Sequence, residues 1–154
     1  MIKVGILIMS DRASKGVYED KSGKTIQEII EEDAQYEVSE YEVIPDEKDI
    51  IIKMLKEYID EKKLDLVITS GGTGLSKRDI TPEATHEVID KEIPGMAEAM
   101  RSHGIQKTPF AMLSRAVAGL RGKSLIINLP GSPKAVRENL EVVLPVIPHA
   151  LGMH

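Results

Sequence analysis

Short apolar runs alternate along this chain with segments of helical periodicity, and this alternation restricts the fold more than any other feature of the sequence. Three runs are almost continuously apolar: residues 2–9 (IKVGILIM), 64–69 (LDLVIT) and 124–129 (SLIINL). Such runs are typical of parallel strands that are covered on both faces. The sequence therefore predicts an α/β fold with three layers, α/β/α, in which helices lie on both faces of a mostly parallel sheet.

The segments between these runs supply the remaining elements. Residues 36–44 alternate between apolar and polar positions, which predicts a strand near an edge of the sheet. The stretch 107–122 fits either a short strand pair or a loop. Helices are predicted over residues 23–34, 47–63, 81 to about 90, 94–103 and from 132 onward, with Pro145 and Pro148 kinking or ending the last one. The 154 residues fit a single domain, 1–154.

Composition excludes several classes of protein. The chain has no cysteine, so it can form neither disulfides nor thiolate metal sites. Its net charge is −5 and its aromatic content is 3%, whereas nucleic-acid binders usually carry a basic patch or a base-stacking platform. No apolar run approaches the roughly 20 residues of a membrane helix, and residues 4–9 are too few for a signal peptide. We therefore expect a cytoplasmic protein that binds neither nucleic acid nor membrane.

Polar loops follow four of the predicted strands. Because ligands in open parallel sheets bind beyond the carboxyl ends of the strands, these loops are the candidate site. They bring Gly, Ser, Thr, Asp and basic residues to one edge of the sheet. The loops are Ser10-Asp11-Arg12, Pro45-Asp46, Ser70-Gly71-Gly72-Thr73-Gly74 with Lys77-Arg78-Asp79, and Pro130-Gly131-Ser132-Pro133.

The Gly-Gly-Thr-Gly loop, residues 71–74, is the sharpest of these motifs. Its glycines can adopt positive φ and approach a ligand closely, so that successive N–H groups bind an anion such as phosphate. The alternative is a tight turn that only reverses the chain. The loop matches neither the P-loop nor the dinucleotide fingerprint.

Two carboxylates have both a functional and a structural interpretation. Asp79 could be a magnesium ligand, because that cation favours carboxylate oxygens, or a loop acid held by a neighbouring backbone N–H or paired with an arginine. Asp46 could be another ligand or the N-cap of the helix that opens at Glu47. Ser132 could cap the last helix while Gly131 lets N–H groups face an anion. Ser114 and Arg115 could lie in the cleft or in a solvated loop.

Taken together, these motifs resemble the molybdopterin adenylyltransferase family, the MogA/MoaB-like fold that also forms the G domain of gephyrin. The resemblance covers nearly the whole chain and keeps the order of many linked motifs. The most specific stretches are Ser10-Asp11-Arg12 with Asp20 and Ser22-Gly23, Ile44-Pro45-Asp46-Glu47, Thr69 to Gly74, Arg78 to Thr85, Pro94-Gly95, Met100-Arg101, Leu113-Ser114-Arg115 and Asn128 to Gly131.

This resemblance implies transfer of AMP from Mg-ATP to the terminal phosphate of molybdopterin, in molybdenum or tungsten cofactor biosynthesis. It implies that Asp46 and Asp79 are the acidic residues of adenylyl transfer, with Mg²⁺ near them. The Gly-Gly-Thr-Gly loop would hold substrate phosphate, and Pro130-Gly131-Ser132 would help to bind the pterin. A homotrimer or higher homo-oligomer is implied, and the pathway's metal-inserting protein is a possible partner. A non-catalytic molybdopterin carrier of the same fold is the alternative.

Overall fold

A computed structural model describes residues 1–17 and 19–152 of the chain. Within these residues the strands form one sheet, in the order β2-β1-β3-β6-β5-β4. The first four strands of that order are parallel to one another. β5 is antiparallel to β6, and β4 is antiparallel to β5. The strands are β1 (Ile2–Met9), β2 (Tyr36–Ile44), β3 (Leu66–Ser70), β4 (Lys91–Glu92), β5 (Ala118–Arg121) and β6 (Ser124–Leu129).

Helices connect the strands and cover both faces of the sheet. A π-helical turn, Glu57–Glu61, continues α3, and 3-10 turns occur at Pro109–Leu113 and Leu144–Val146. The α-helices are α1 (Asp11–Ser14), α2 (Lys21–Glu31), α3 (Lys48–Lys56), α4 (Thr81–Val88), α5 (Pro94–Ile105), α6 (Pro133–Val143) and α7 (Ile147–Leu151).

The sheet separates two apolar cores. On one face α2, α5, α6 and α7 pack against Val4, Ile6 and Ile8 of β1. On the other face α3 and α4 pack against Leu7 and Met9. Alternate residues of one strand thus enter opposite cores, which is why the strand reads as a continuous apolar run. The predicted three-layer α/β/α fold is confirmed.

Most predicted elements are present, and the differences have local causes. The edge strand 36–44 is confirmed as β2, and α6 ends at Val143, ahead of Pro145 as predicted. The uncertain stretch 107–122 forms a 3-10 turn and then β5, which pairs with β4 and β6. The sequence analysis missed the two-residue strand β4 and the four-residue helix α1, because such short elements carry no periodicity.

Gly5 lets the second core approach the sheet. A Cβ atom at this position would lie 2.7 Å from ring atoms of Tyr58 and from Leu64 Cδ1. The tyrosine ring therefore packs directly on the backbone of β1 and is fully buried. Its hydroxyl donates to Glu42 Oε1 at 3.0 Å, which satisfies the polar end of the ring.

Candidate active site

The parallel pairing brings the four predicted loops together at the carboxyl ends of β2, β1, β3 and β6. Met9 pairs with Ile44, Ile8 with Ser70, and Ser70 with Leu129. Two hydrogen bonds continue this alignment into the loops: Ser10 N–H donates to Ile44 O at 2.9 Å, and Gly71 N–H donates to Leu129 O at 3.1 Å. The predicted convergence of these loops at one edge is confirmed.

The glycine loop, residues 71–74, is held so closely that side chains would not fit. Gly71 and Gly72 have φ of +94° and +72°, the left-handed region that favours glycine. A Cβ on Gly71 would meet the carbonyl of Met9, and one on Gly72 would lie against the Thr81 hydroxyl and 3.2 Å from Asp46 Oδ1. One on Gly74 would lie 2.9 Å from Asp79 Oδ2. The loop thus runs between the two carboxylates.

The carbonyl groups of the glycine loop are used by the protein, whereas three of its N–H groups are not. The carbonyls of Gly71, Gly72 and Thr73 accept hydrogen bonds from Thr81 Oγ1, Thr81 N and Arg115 N at 3.0 to 3.1 Å. Among the described residues, the N–H groups of Gly72, Thr73 and Gly74 donate no hydrogen bond. Successive free N–H groups of this kind can bind an anion.

Asp46 does not cap α3, so the N-cap alternative for this residue is wrong. The N-cap of α3 is Glu47, which makes no side-chain cap hydrogen bond. The Asp46 carboxylate instead turns toward α1, where its Oδ2 accepts from the backbone N–H of Asp11 at 3.0 Å. Burial raises the pKa of Asp46 above its ordinary value, and the negative charges of Asp11 and Asp79 add to that effect.

Asp79 is held in the way its structural interpretation predicts. Its Oδ2 accepts from the backbone N–H of Ser76 at 3.0 Å and from the Ser76 hydroxyl at 2.8 Å. In the part of the chain that the structure describes, Oδ1 of Asp79 and Oδ1 of Asp46 accept no hydrogen bond. Each carboxylate therefore keeps one oxygen without a hydrogen bond, so the loop-acid interpretation leaves a ligand role open.

Asp11 and Arg78 join the loops that carry these two carboxylates. Arg78 donates through Nε to Asp11 Oδ2 at 3.0 Å and through Nη2 to Asp11 Oδ1 at 2.9 Å. Asp11 Oδ1 also accepts from the backbone N–H of Asp46 at 3.0 Å. The hydrogen bonds from Arg78 and from the Asp46 N–H lower the pKa of Asp11 below its ordinary value.

Arg115 reaches the site from the far end of the Pro109–Leu113 turn. It donates through Nε to Gly74 O at 2.8 Å and through Nη2 to Asp79 O at 2.7 Å. Its Nη1 pairs with Glu83 Oε2 at 2.6 Å, and this contact lowers the pKa of Glu83. Ser114 lies beside it, with its hydroxyl accepting from Ala116 N at 3.3 Å. Arg115 therefore lies against the glycine loop and the Asp79 loop, which leaves a position in the cleft a prediction.

The serines of the site are engaged in loop structure. Ser10 caps α1 by accepting from Ala13 N at 3.1 Å, and Ser132 caps α6 by accepting from Ala135 N at 3.2 Å, as predicted. Ser70 donates to Pro130 O at 2.6 Å and so joins β3 to the Pro-Gly-Ser-Pro turn. The carbonyl of Gly131 accepts from Ser22 Oγ. These bonds fix the backbone of the turn against the glycine loop.

Two cavities flank the glycine loop. One, of about 300 Å³, has a mixed lining that includes the polar residues Ser10, Asp20, Ser70 and Ser132 as well as Gly71. The other, of about 310 Å³, is more apolar and is lined by Thr73, Gly74, Met100, Phe110, Ser114 and Pro130 among others. The loop separates them, so a bound anion at its N–H groups would have a cavity on each side.

Sequence comparison identifies the family to which this site belongs. The model of the family described as “Probable molybdopterin binding domain” matches residues 5–149. The chain belongs to the molybdopterin-binding domain family. The predicted resemblance is confirmed by this match, which includes every loop of the site.

Relatives of this molybdopterin-binding domain agree in name and in structure. Molybdopterin adenylyltransferase from Helicobacter pylori strain J99 is 53% identical, over 99% of this chain and 87% of that protein. The Escherichia coli K12 protein of the same name is 44% identical, over 92% and 73%. The crystal structure of the molybdopterin biosynthesis enzyme MoaB from Thermus thermophilus has a TM-score of 0.94 and 53% identity, covering 99% of this chain and 96% of that one.

Sequence reasoning missed two residues that organise the site of this domain. Arg78 was not predicted as a site residue, yet it bridges to Asp11; its position next to Asp79 was the available signal. Thr81 is the first residue of α4, after the N-cap residue Ile80. Its hydroxyl donates to Gly71 O, so it supports the glycine loop.

No helix in residues 1–17 or 19–152 is long and apolar enough to cross a membrane. The same residues contain no group of three or more His, Asp or Glu side chains placed to hold a metal ion.

Proposed function

We propose that this chain is a molybdopterin adenylyltransferase. It transfers AMP from Mg-ATP to the terminal phosphate of molybdopterin and releases pyrophosphate, in molybdenum or tungsten cofactor biosynthesis. The observation that carries the proposal is the placement of three free N–H groups, those of Gly72, Thr73 and Gly74, between two carboxylates that each keep a free oxygen. The names of the relatives support the same activity.

The residues of the site fit a magnesium ion. Asp46 lies close enough to Asp79 and Asp11 for their charges to raise its pKa, so a cation between Asp46 and Asp79 would relieve this repulsion. Their free Oδ1 atoms would be the protein ligands. When bound, the ion supplies charge neutralisation for the phosphate oxygens of ATP.

The reaction requires alignment and charge stabilisation from the protein more than acid–base chemistry. A terminal phosphate oxygen of molybdopterin attacks the α-phosphorus of ATP, a new P–O bond forms, and the bond to the β-phosphate breaks as pyrophosphate leaves with the electron pair. No general base is needed, because a phosphate monoester is already ionised at neutral pH. The N–H groups of the glycine loop hold and orient phosphate oxygens, a role that fixed backbone donors perform without reorganisation.

The substrates are placed by the remaining predicted residues. The cavity beside Gly131 and Ser132 takes the pterin, in keeping with the predicted role of the Pro-Gly-Ser-Pro turn. Ser10 and Ser70 line this cavity, whereas Thr73 and Ser114 line the apolar cavity. Asp11 contacts Asp46, and Arg115 contacts Gly74 O and Asp79 O. Separate cavities on the two sides of the glycine loop give room for two ring systems.

Several further properties belong to the same proposal. We expect residues 1–154 to act as a single domain in the cytoplasm and to assemble as a homotrimer or higher homo-oligomer. The metal-inserting protein of the pathway is the expected recipient of the adenylated product. Light scattering on the purified protein measures the assembly directly, and a monomer at micromolar concentration would contradict it.

The activity is tested by pyrophosphate release from purified protein with Mg-ATP and molybdopterin. We expect release that requires both substrates and the divalent cation, together with formation of adenylated molybdopterin. Retention of molybdopterin without pyrophosphate release would instead support the carrier function. Replacing ATP by GTP is the matched control for nucleotide specificity.

A further inference from the structure

The two carboxylates of the site lie on loops that are far apart in sequence. Asp46 follows β2, whereas Asp79 lies in the connection between β3 and α4, whose residues 75–78 are exposed. The Asp79 loop makes contacts within itself, including Asp79 N–H to Ser76 O at 3.0 Å, and Arg115 donates to Gly74 O and Asp79 O. Such contacts fix the shape of the loop but not its distance from Asp46.

The Arg78 side chain reaches from the Asp79 loop toward Asp46. Arg78, the neighbour of Asp79, forms two parallel hydrogen bonds with Asp11 and lies 3.5 Å from Glu47 Oε1 through Nη2. Asp11 in turn exchanges backbone-to-carboxylate hydrogen bonds with Asp46 in both directions. A continuous path of hydrogen bonds therefore runs from the Asp79 loop to the backbone and the carboxylate of Asp46. A bidentate arginine–carboxylate pair fixes orientation as well as distance.

We propose that the Arg78–Asp11 ion pair is a positioning device that holds the Asp79 loop against Asp46 and sets the separation of the two carboxylates. The inference rests on the proposed function, because it assigns the two carboxylates a shared cation. Arg78 and Asp11 are positioning residues: they act through Asp79 and Asp46 and do not themselves touch the reacting atoms.

Exposure argues against a mainly structural role for this pair. The Arg78 side chain is 55% exposed and that of Asp11 is 29% exposed. Pairs as open to solvent as this one contribute little to folding stability, because solvent screens the attraction and side-chain ordering opposes it. Loss of the pair should therefore appear in cation binding and turnover, with little effect on unfolding.

The chain provides a matched control at a distance from the site. Arg121 forms the same bidentate pair with Asp60, through Nε at 3.0 Å and Nη2 at 2.7 Å. The variants to compare are Arg78→Lys, Asp11→Asn, the double variant and Arg121→Lys. Lysine keeps the positive charge but lacks the two parallel N–H donors of the guanidinium group. An asparagine amide can no longer accept both hydrogen bonds from Arg78.

Cation binding is measured first, without turnover, by electron paramagnetic resonance titration with Mn²⁺ in the presence of an ATP analogue with a non-cleavable α–β linkage. We expect Arg78→Lys and Asp11→Asn each to weaken Mn²⁺ binding about tenfold, the size of effect seen when a residue supporting a metal ligand is removed. The double variant should be no weaker than the poorer single variant, because both changes break one path. Arg121→Lys should bind Mn²⁺ like the parent.

Kinetics then separate positioning from direct contact with substrate. Positioning predicts that kcat falls about tenfold or more in the two single variants, that ATP KM changes little, and that the Mg²⁺ concentration for half-maximal rate rises. Unchanged kcat with a raised ATP KM would show that Arg78 contacts phosphate directly, and additive losses in the double variant would show two independent roles. Either result overturns the proposal.

Failure of the proposed function has a different signature. In one outcome the parent protein binds Mn²⁺ and the variants show non-additive losses of binding, and yet the parent releases no pyrophosphate. That result would refute the adenylyltransferase activity and leave the positioning role intact. A parent that binds no Mn²⁺ in the presence of the nucleotide analogue, or an Arg121→Lys variant as impaired as Arg78→Lys, would overturn the positioning role itself.

Discussion

Asp11 and Asp46 hold each other through a reciprocal pair of hydrogen bonds, each backbone N–H donating to the other residue's carboxylate at 3.0 Å. The pair joins the turn after β1 to the turn after β2. It also brings two negative charges close together. Burial of Asp46 and the nearby charge of Asp11 both raise the pKa of Asp46. This relationship determines how substitutions of Asp46 should behave.

Asp46→Asn should separate stability from activity. The raised pKa of Asp46 means that the folded state binds the proton of this carboxyl group more tightly than the unfolded state does. The contribution of Asp46 to folding stability therefore falls as pH rises from the ordinary pKa of 3.8 through the raised pKa. At pH 7 the neutral amide should therefore be at least as stable as the carboxylate, because it can still accept from Asp11 N–H. Turnover should fall about 100-fold or more, since a ligand charge is lost.

Asp46→Ala is the companion variant. It leaves the Asp11 N–H without its acceptor, which costs about 1–3 kcal/mol when the donor is buried and less here because Asp11 is partly exposed. Urea unfolding and single-turnover pyrophosphate release measure the two effects. An asparagine variant that is both destabilised and active would contradict this account.

Asp79→Asn should abolish AMP transfer while the fold is preserved. The amide oxygen can still accept from Ser76, but the charge offered to a cation is gone; we expect a loss of about 100-fold or more in single turnover. Asp33→Asn is the matched control, because Asp33 is also a loop aspartate that accepts from a backbone N–H and a side chain, both of Gln35. Asp79→Asn activity within threefold of the control would remove Asp79 from the ligand role.

Gly72→Ala should damage the site beyond the cost of its backbone conformation. Left-handed φ in a non-glycine residue costs about 1–2 kcal/mol. Gly122→Ala carries the same kind of strain, at φ +56°, but its Cβ would meet nothing within 4 Å. Gly72→Ala should lose more stability than Gly122→Ala, and only Gly72→Ala should lose activity, because its methyl group would press on Thr81 and Asp46. Equal activity in the two variants would argue against phosphate binding by the loop.

Glu83→Gln should lower stability in a pH-dependent way. The hydrogen bond from Arg115 depresses the pKa of Glu83 below its ordinary value of 4.5. A depressed carboxylate pKa contributes stability that is fully present above the unfolded-state value and is lost as pH falls through the folded-state value. The difference in melting temperature between parent and variant should therefore be present at pH 7 and shrink below pH 4.5. A difference that stays constant from pH 7 to acid would show that the charge is not responsible.

The sequence by itself determined the layered fold and the place of the site. Burial on both faces of a parallel strand leaves a continuous apolar run, so β1, β3 and β6 could be read directly. The polar loops after these strands had to meet, since parallel strands share a carboxyl edge. The motifs also identified the family, because they span the chain in a fixed order.

Only the tertiary structure decided which partner each site residue has. Aspartate is a common N-cap residue, and Asp46 lies just before a helix. The approach of α1 nevertheless gives its carboxylate another donor, the backbone N–H of Asp11. The Thr81 hydroxyl likewise donates to the carbonyl of Gly71, and Arg115 donates to the carbonyls of Gly74 and Asp79. The link from Arg78 to Asp11 crosses 67 positions. Local sequence fixes which hydrogen bonds a residue can make with its neighbours, but competition from distant donors exists only once the chain has folded.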